Sequence, residues 1–294
     1  MRNRVWRNLK TWKRLSFGAV SLIFRLDRSV RVTRGHLRHE QALLSRAERT
    51  RALPERQSLP RERELAVLVG VGPGFGYALA ERLAREGFDL VLVSRDAERL
   101  APLVAALHAN GVTVESIGVD ATDESGVAKL FERVRAQHGI PNLVVYSLQY
   151  SGPGAAIDIE TPAFEASWRH NCFGAFLVGR AAARSMLERG SGTIVFVGST
   201  SSLVGRAAHL NLAIGKFGQR ALAQVMAREL WPKGIHVVHA VIDADIAEGI
   251  AAPTPHADPH DVAAGIVAVH DQPRTAWTSE LDLRPWNEAF WEHC

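Results

Sequence analysis

Two cysteines, Cys172 and Cys294, are all that the 294-residue sequence contains. So few thiols exclude a disulfide-stapled scaffold and any cysteine-based zinc finger, and they fit a reducing compartment, so the expected location is the cytoplasm. Long apolar runs are missing as well. None approaches the roughly 18 residues that cross a bilayer, and the stretch from Phe17 to Phe24 is broken by Gly18 and Ser21. A metal site is not expected either, because His256 and His260 are too isolated to argue for one. Acid is scarce at one end, where no Asp or Glu precedes Asp27.

That last scarcity divides the chain. Residues 1–63 hold 17 Lys and Arg against 5 Asp and Glu, a balance of +12, whereas residues 64–294 hold 18 against 26, a balance of −8. In the basic part, Arg2, Arg4, Arg7, Lys10, Lys13 and Arg14 are interleaved with Trp6, Leu9, Trp12 and Leu15. Residues 1–30 are therefore compatible with peripheral contact to anionic lipid, tryptophans at headgroup level and cations on the phosphates. An organelle transit peptide shares this composition, and a solvated, partly helical extension is the plainer reading. Nucleic acid is not expected as a partner, because no reading motif accompanies the charge. Leu53 to Arg63, with Pro54 and Pro60, reads as a linker. The expected organisation is a basic extension over 1–63 and one domain over 64–294.

Past the linker, short runs rich in Val, Ile and Leu alternate with segments of helical periodicity. The spacing predicts strands at Leu65–Val69, Leu90–Val93, Val112–Ile117, Leu143–Tyr146, Thr193–Val197, Ile235–Ile242 and Trp277–Leu283. Helices are predicted between them, among them Tyr77–Glu86 and Leu212–Leu230. Nearly continuous apolar strands belong in a parallel sheet covered on both faces, so the expected fold is a doubly wound α/β domain, Rossmann-like, with a mainly parallel seven-stranded sheet. Directly after the first strand comes Gly70-Val71-Gly72-Pro73-Gly74-Phe75-Gly76, then a helix. Glycines there permit a tight turn and close approach of a pyrophosphate to backbone, so Gly70, Gly74, Phe75 and Gly76 are candidate dinucleotide-binding positions. The second strand ends in Ser94 and Arg95 where an acid would hold an NAD ribose. A guanidinium beside that position suits a 2′-phosphate, which favours NADP, while Asp96 keeps NAD compatible.

These residues carry a resemblance to the short-chain dehydrogenase/reductase family over Leu65 to Cys294. The family's glycine spacing is met by Gly70, Gly74 and Gly76, and Asp120 stands where the family places an acid near the adenine, although it also reads as an ordinary helix N-cap. The resemblance implies a relay of Asn, Ser, Tyr and Lys. Asn171, Ser199 and Lys216 match three of these positions, with Lys216 implied to bind the nicotinamide ribose. The fourth is Leu212, which has no proton to give, so the chain resembles an atypical member lacking the active-site tyrosine. His209 and Tyr146 are candidate substitutes. Val145-Tyr146-Ser147-Leu148 and Asp243-Ala244 also depart from the family's Asn-Asn-Ala-Gly and Pro-Gly stretches. The expected function is hydride transfer between NADPH and a small carbonyl or alcohol substrate, and the alternative is a cofactor-binding pseudoenzyme that senses or scaffolds. The helix Leu212–Leu230 reads as core packing or as the subunit interface usual in the family, which implies a homo-oligomer. Residues 244–260 replace the family's substrate lid.

Overall fold

In the computed structural model, residues 63–246 and 256–288 are described. The expected lipid contact of residues 1–30 lies outside the described residues, as do residues 1–62 of the expected extension over 1–63, residues 247–255 of the expected lid segment and Cys294.

Each early strand is a run of Val and Leu with no polar residue at its centre: β1 (Leu65–Val69), β2 (Asp89–Ser94) and β4 (Leu143–Tyr146). Such strands can be buried on both faces, and they are. In β1, Val67 and Val69 join one core layer with Val127, Leu177 and Met226, while Ala66 and Leu68 join the opposite layer with Phe75, Leu79 and Ile266. The remaining strands are β3 (Val114–Gly118), β5 (Gly192–Ser199), β6 (Ile235–Ile242), a short pair β7 (Asp245–Ile246) and β8 (His256–Ala257), and β9 (Glu280–Leu283). The main sheet has seven strands in the order β3-β2-β1-β4-β5-β6-β9, all paired parallel. One layer of helices consists of α1 (Phe75–Arg85), α2 (Ala101–Ala109) and α7 (Pro259–His270). The other consists of α3 (Glu124–Gln137), α5 (Gly174–Arg189) and α6 (Leu210–Leu230), with α4 (Thr161–Trp168) leading into α5. The doubly wound expectation holds, and no helix among the described residues is long and apolar enough to cross a membrane.

Strand order reverses between β1 and β4, and in such sheets ligands bind outside the carboxyl ends at that reversal. The turns after β1, β4 and β5 all open on this edge. Two predicted strands start too early, for identifiable reasons. The Val112 amide donates to Leu107 O at 3.2 Å, closing the end of α2, so β3 begins at Val114. Trp277 stacks on His236, and the Thr278 amide is held by Gln272 Oε1 at 2.7 Å, so β9 begins at Glu280.

Candidate active site

The glycine turn is shaped by three different demands. Gly70 has φ +95, and a Cβ there would sit 2.8 Å from the Leu148 amide nitrogen, so the turn brings the ends of β1 and β4 together. At Gly76 a Cβ would meet Val71 Cα at 3.1 Å, the close approach of α1 to its own strand. Gly74, with φ +80, is the N-cap of α1, and a Cβ there would point into open space with no atom within 4 Å. No side chain caps α1, and its first turn holds no acid. Unpaired amides and the helix dipole therefore face a clear approach, which fits the diphosphate of a dinucleotide. The Phe75 side chain is buried in the core beside Leu79, so only its backbone is available to a ligand.

At the carboxyl ends of β2 and β3, Val119 N donates to Ser94 O at 2.9 Å, which sets Ser94 and Arg95 beside Asp120. Arg95 is exposed and makes no hydrogen bond among the described residues, whereas Asp96 Oδ1 is taken by the Glu98 amide at 3.1 Å. Asp120 is not a helix cap. Asp123 caps α3 through Ser125 N and Gly126 N, while Asp120 Oδ1 accepts from Thr122 N and Oγ1 at 2.8 and 2.9 Å. Partial burial raises the Asp120 pKa, but the Thr122 bonds and the nearby His170 and Arg95 charges outweigh it and hold the carboxyl below its usual range.

Asn171 lies in a π-helical turn, Arg169–Phe173, between α4 and α5. The irregular turn is where a helix line bends to present a residue, and Asn171 is fully buried there. Its Nδ2 donates to Tyr150 O at 2.7 Å and to Ser167 O at 3.0 Å, and its Oδ1 accepts from Tyr150 N at 3.1 Å. It therefore fixes the segment leaving β4. Lys216 of α6 holds the same segment from the other side: Nζ donates to Leu148 O at 3.2 Å and to Val197 O at 2.8 Å. Only 1% exposed and without a carboxylate partner among the described residues, the ammonium is pushed down to about 7 by burial. Ser199 ends β5 two residues beyond Val197. Ser202 Oγ accepts from its amide at 3.1 Å, Ser199 Oγ accepts in turn from the Ser202 amide, and no acceptor among the described residues takes the Ser199 hydroxyl proton.

Leu212 occupies the position one helical turn before Lys216 and is 8% exposed. Of the two expected substitutes for a proton donor, Tyr146 is ruled out by its place. It is fully buried in the core, its hydroxyl donates to His170 O, and burial, with Cys172 and Asp120 nearby, drives its pKa upward. His209 is exposed at the start of α6, with Nδ1 and Ala207 O at 2.8 Å.

Sequence reasoning missed the polar groups behind the lysine. Arg220, one turn after Lys216, pairs with Glu280 of β9 through Nε to Oε2 at 2.6 Å and Nη2 to Oε1 at 2.8 Å. His239 of β6 lies 3.5 Å from Glu280 and packs against Gly198. Burial pushes it down to about 4 against the pull of Glu280, so the ring is neutral and adds no charge beside Lys216. Asp243 and Arg284, at the ends of β6 and β9, form a buried ion pair. Two histidines inside an otherwise apolar strand were the visible signal for His239. The Arg220 and Glu280 pairing spans 60 residues and left none.

A stability consequence follows from Lys216. Its folded pKa of about 7 lies below the ordinary 10.5, so between those values the unfolded chain holds a proton that the folded chain has lost. Raising the pH through that window stabilises the fold, and below about 7 the burial penalty is fully present. Lys216→Met should therefore differ most from the parent in melting temperature near pH 7 and least near pH 10. A difference independent of pH would show that the ammonium is not held this way.

Residues 64–249 match the family model described as short chain dehydrogenase. An uncharacterized oxidoreductase of Staphylococcus saprophyticus is 27% identical over 230 residues, covering 76% of this chain and 97% of the relative. The 2,3-dihydro-2,3-dihydroxybenzoate dehydrogenase of Bacillus subtilis is 27% identical over 169 residues, 58% of this chain and 65% of the relative. A crystal structure of a short-chain dehydrogenase from Rhodopseudomonas palustris is similar with a TM-score of 0.69 and 33% identity, covering 76% of this chain and 100% of that one.

Proposed function

The chain belongs to the short-chain dehydrogenase family, and from that premise we propose that it is an NAD(P)-dependent oxidoreductase of small carbonyl or alcohol substrates, atypical in lacking the family's tyrosine. The observation that carries the reading is the convergence, on one edge of the sheet, of an uncapped α1 N-terminus behind Gly74 with the buried Lys216 and the Ser199 hydroxyl, whose proton has no acceptor among the described residues. A nicotinamide nucleotide bound there supplies or accepts a hydride. The α1 amides hold its diphosphate, Ser94 and Arg95 face a ribose 2′-phosphate, and Asp120 lies toward the adenine end. The engagement of Asp96 with the Glu98 amide favours NADP over NAD. Arg95→Asp is expected to erase a preference for NADPH of roughly ten-fold, a modest figure because an exposed guanidinium is screened by solvent. Equal affinities of the parent for NADPH and NADH by calorimetry would contradict the assignment.

At the other end of the site, Ser199 donates to a substrate carbonyl oxygen, and Lys216 holds the nicotinamide ribose. Asn171 is a positioning residue, acting through the Tyr150 backbone. Carbonyl reduction develops alkoxide charge that needs a proton, and Leu212 has none. The Lys216 ammonium, near its pKa at neutral pH, is the remaining buried acid beside Ser199. Reduction should accordingly fade as pH rises through about 7. A cofactor-binding role without turnover rests on Leu212 alone and is the weaker reading.

We assign residues 1–63 to a separate basic extension and residues 64–294 to the catalytic domain. Phe176 on α5 and Ile214, Phe217 and Val225 on α6 are exposed, which supports a homo-oligomer. Light scattering tests that assembly. Sedimentation with anionic vesicles, before and after removal of residues 1–62, tests the lipid contact of residues 1–30.

A further inference from the structure

A buried histidine lies behind the turn that carries Ser199. His239 of β6 is 1% exposed and stands between Phe196 of β5 and Glu280 of β9 in the register of the sheet. Both of its ring nitrogens are buried, and neither completes a hydrogen bond among the described residues. Nδ1 faces Glu280 Oε2 at 3.5 Å, and Arg220 of α6 holds that carboxylate at two points. Nε2 faces the turn Thr200–Ser202. A Cβ on Gly198 would lie 2.3 Å from Nε2 and 2.6 Å from Ser202 Oγ, so both atoms border the one spot that a glycine leaves free.

A carboxylate only accepts, so the nitrogen that faces Glu280 is the one that carries the ring proton. The ring is neutral, because burial and the Lys216 and Arg220 cations outweigh the attraction of Glu280. Nε2 is then an acceptor, and it calls for a donor. Ser202, fully buried, fits that part: its Oγ already accepts from the Ser199 amide at 3.1 Å, and its hydroxyl proton is left to give. The Ser202 amide in turn donates to Ser199 Oγ. With that lone pair engaged and no acceptor among the described residues for its proton, the Ser199 hydroxyl is left to turn toward a substrate oxygen.

We propose that His239, oriented by the Glu280 and Arg220 pair, is a positioning residue that fixes the Ser199 hydroxyl by way of Ser202. It touches neither substrate nor cofactor and sets the direction of the group that does. The catalytic consequence rests on the oxidoreductase reading above, whereas the line from Glu280 through His239 to Ser202 stands on the packing itself. Gly198 belongs to that line, since a side chain there would part His239 from Ser202.

Nitrogen NMR of the full-length protein, with ¹⁵N in its histidine rings, reads the line without turnover, and the spectrum of His239→Leu identifies the signal. His239 should appear as one neutral tautomer protonated at Nδ1, and Ser202→Ala should shift its Nε2 resonance. Glu280→Gln should release the ring to a mixture of tautomers. Turnover is read with NADPH and the ketone of a screening panel that the parent reduces fastest. Ser202→Ala and His239→Leu should each lower kcat by about ten-fold or more with KM for NADPH unchanged. The double variant should lose no more than either alone, because both break the same line. A proton on Nε2, or an Nε2 resonance indifferent to Ser202→Ala, overturns the proposal. So do losses that multiply in the double variant, which would make the two residues independent packing groups. Should His239→Leu not fold, His239→Gln takes its place, and the Ser202→Ala shift decides independently. A parent that binds NADPH but reduces no ketone overturns the catalytic role together with the oxidoreductase reading, whereas a contrary spectrum from an active parent overturns the line alone.

Discussion

Replacing Gly74 by Asp should weaken NADPH binding by about two orders of magnitude while leaving the fold standing. The φ +80 of Gly74 and its ψ of −122 are unfavourable for any side chain, a penalty of about 1–3 kcal/mol. Against this, a carboxylate at an N-cap satisfies helix amides and meets the positive end of the dipole, contributing about 1 kcal/mol. The net cost to the fold is therefore about 0–2 kcal/mol, which a domain of ordinary stability survives. Binding has no such compensation: the carboxylate occupies the open space in front of α1 and puts negative charge where a diphosphate must sit. Fluorescence titration with NADPH, alongside thermal melting, separates the two effects. Unchanged affinity would move the dinucleotide away from α1.

Leu212→Tyr is expected to raise carbonyl reduction between about ten- and a hundred-fold, at or below the lower end of the about 10²- to 10⁴-fold that a positioned general acid contributes. Residue 212 precedes Lys216 by one helical turn, so a phenol there projects toward Nζ and the end of β5. NADPH affinity should barely move. Leu212 is buried, so the larger ring also introduces some overpacking, which the melting temperature will register. A parent protein that already turns over rapidly and gains nothing from the phenol would show that another donor is sufficient. His209→Ala then tests the exposed ring at the start of α6.

Much of this architecture was legible in the order of residues. The strands β1, β4 and β6 begin and end where their Val and Ile runs do, because both sheet faces are buried and no alternation is needed. Gly87, at φ +90, directly follows the Glu86 C-cap of α1, next to the predicted end of that helix at Glu86. Side-chain direction was not legible. Tyr146 looked like an accessible phenol at a strand end, yet its register beside Val69 and Phe196 turns it into the core. Nothing in Arg169–Phe173 announces a π-helical turn, since neither Gly nor Pro interrupts it.

Hydride transfer at the edge where Gly74, Ser199 and Lys216 converge is the activity we propose. Its most direct test is to incubate the protein with NADPH deuterated at the transferable C4 position and a panel of ketones and keto acids, then analyse the products by mass spectrometry. The expected product is an alcohol carrying one deuterium on the former carbonyl carbon, with Gly74→Asp abolishing the label. NADPH that binds to the parent protein but remains undiminished, with no deuterium in any product across the panel, would contradict it.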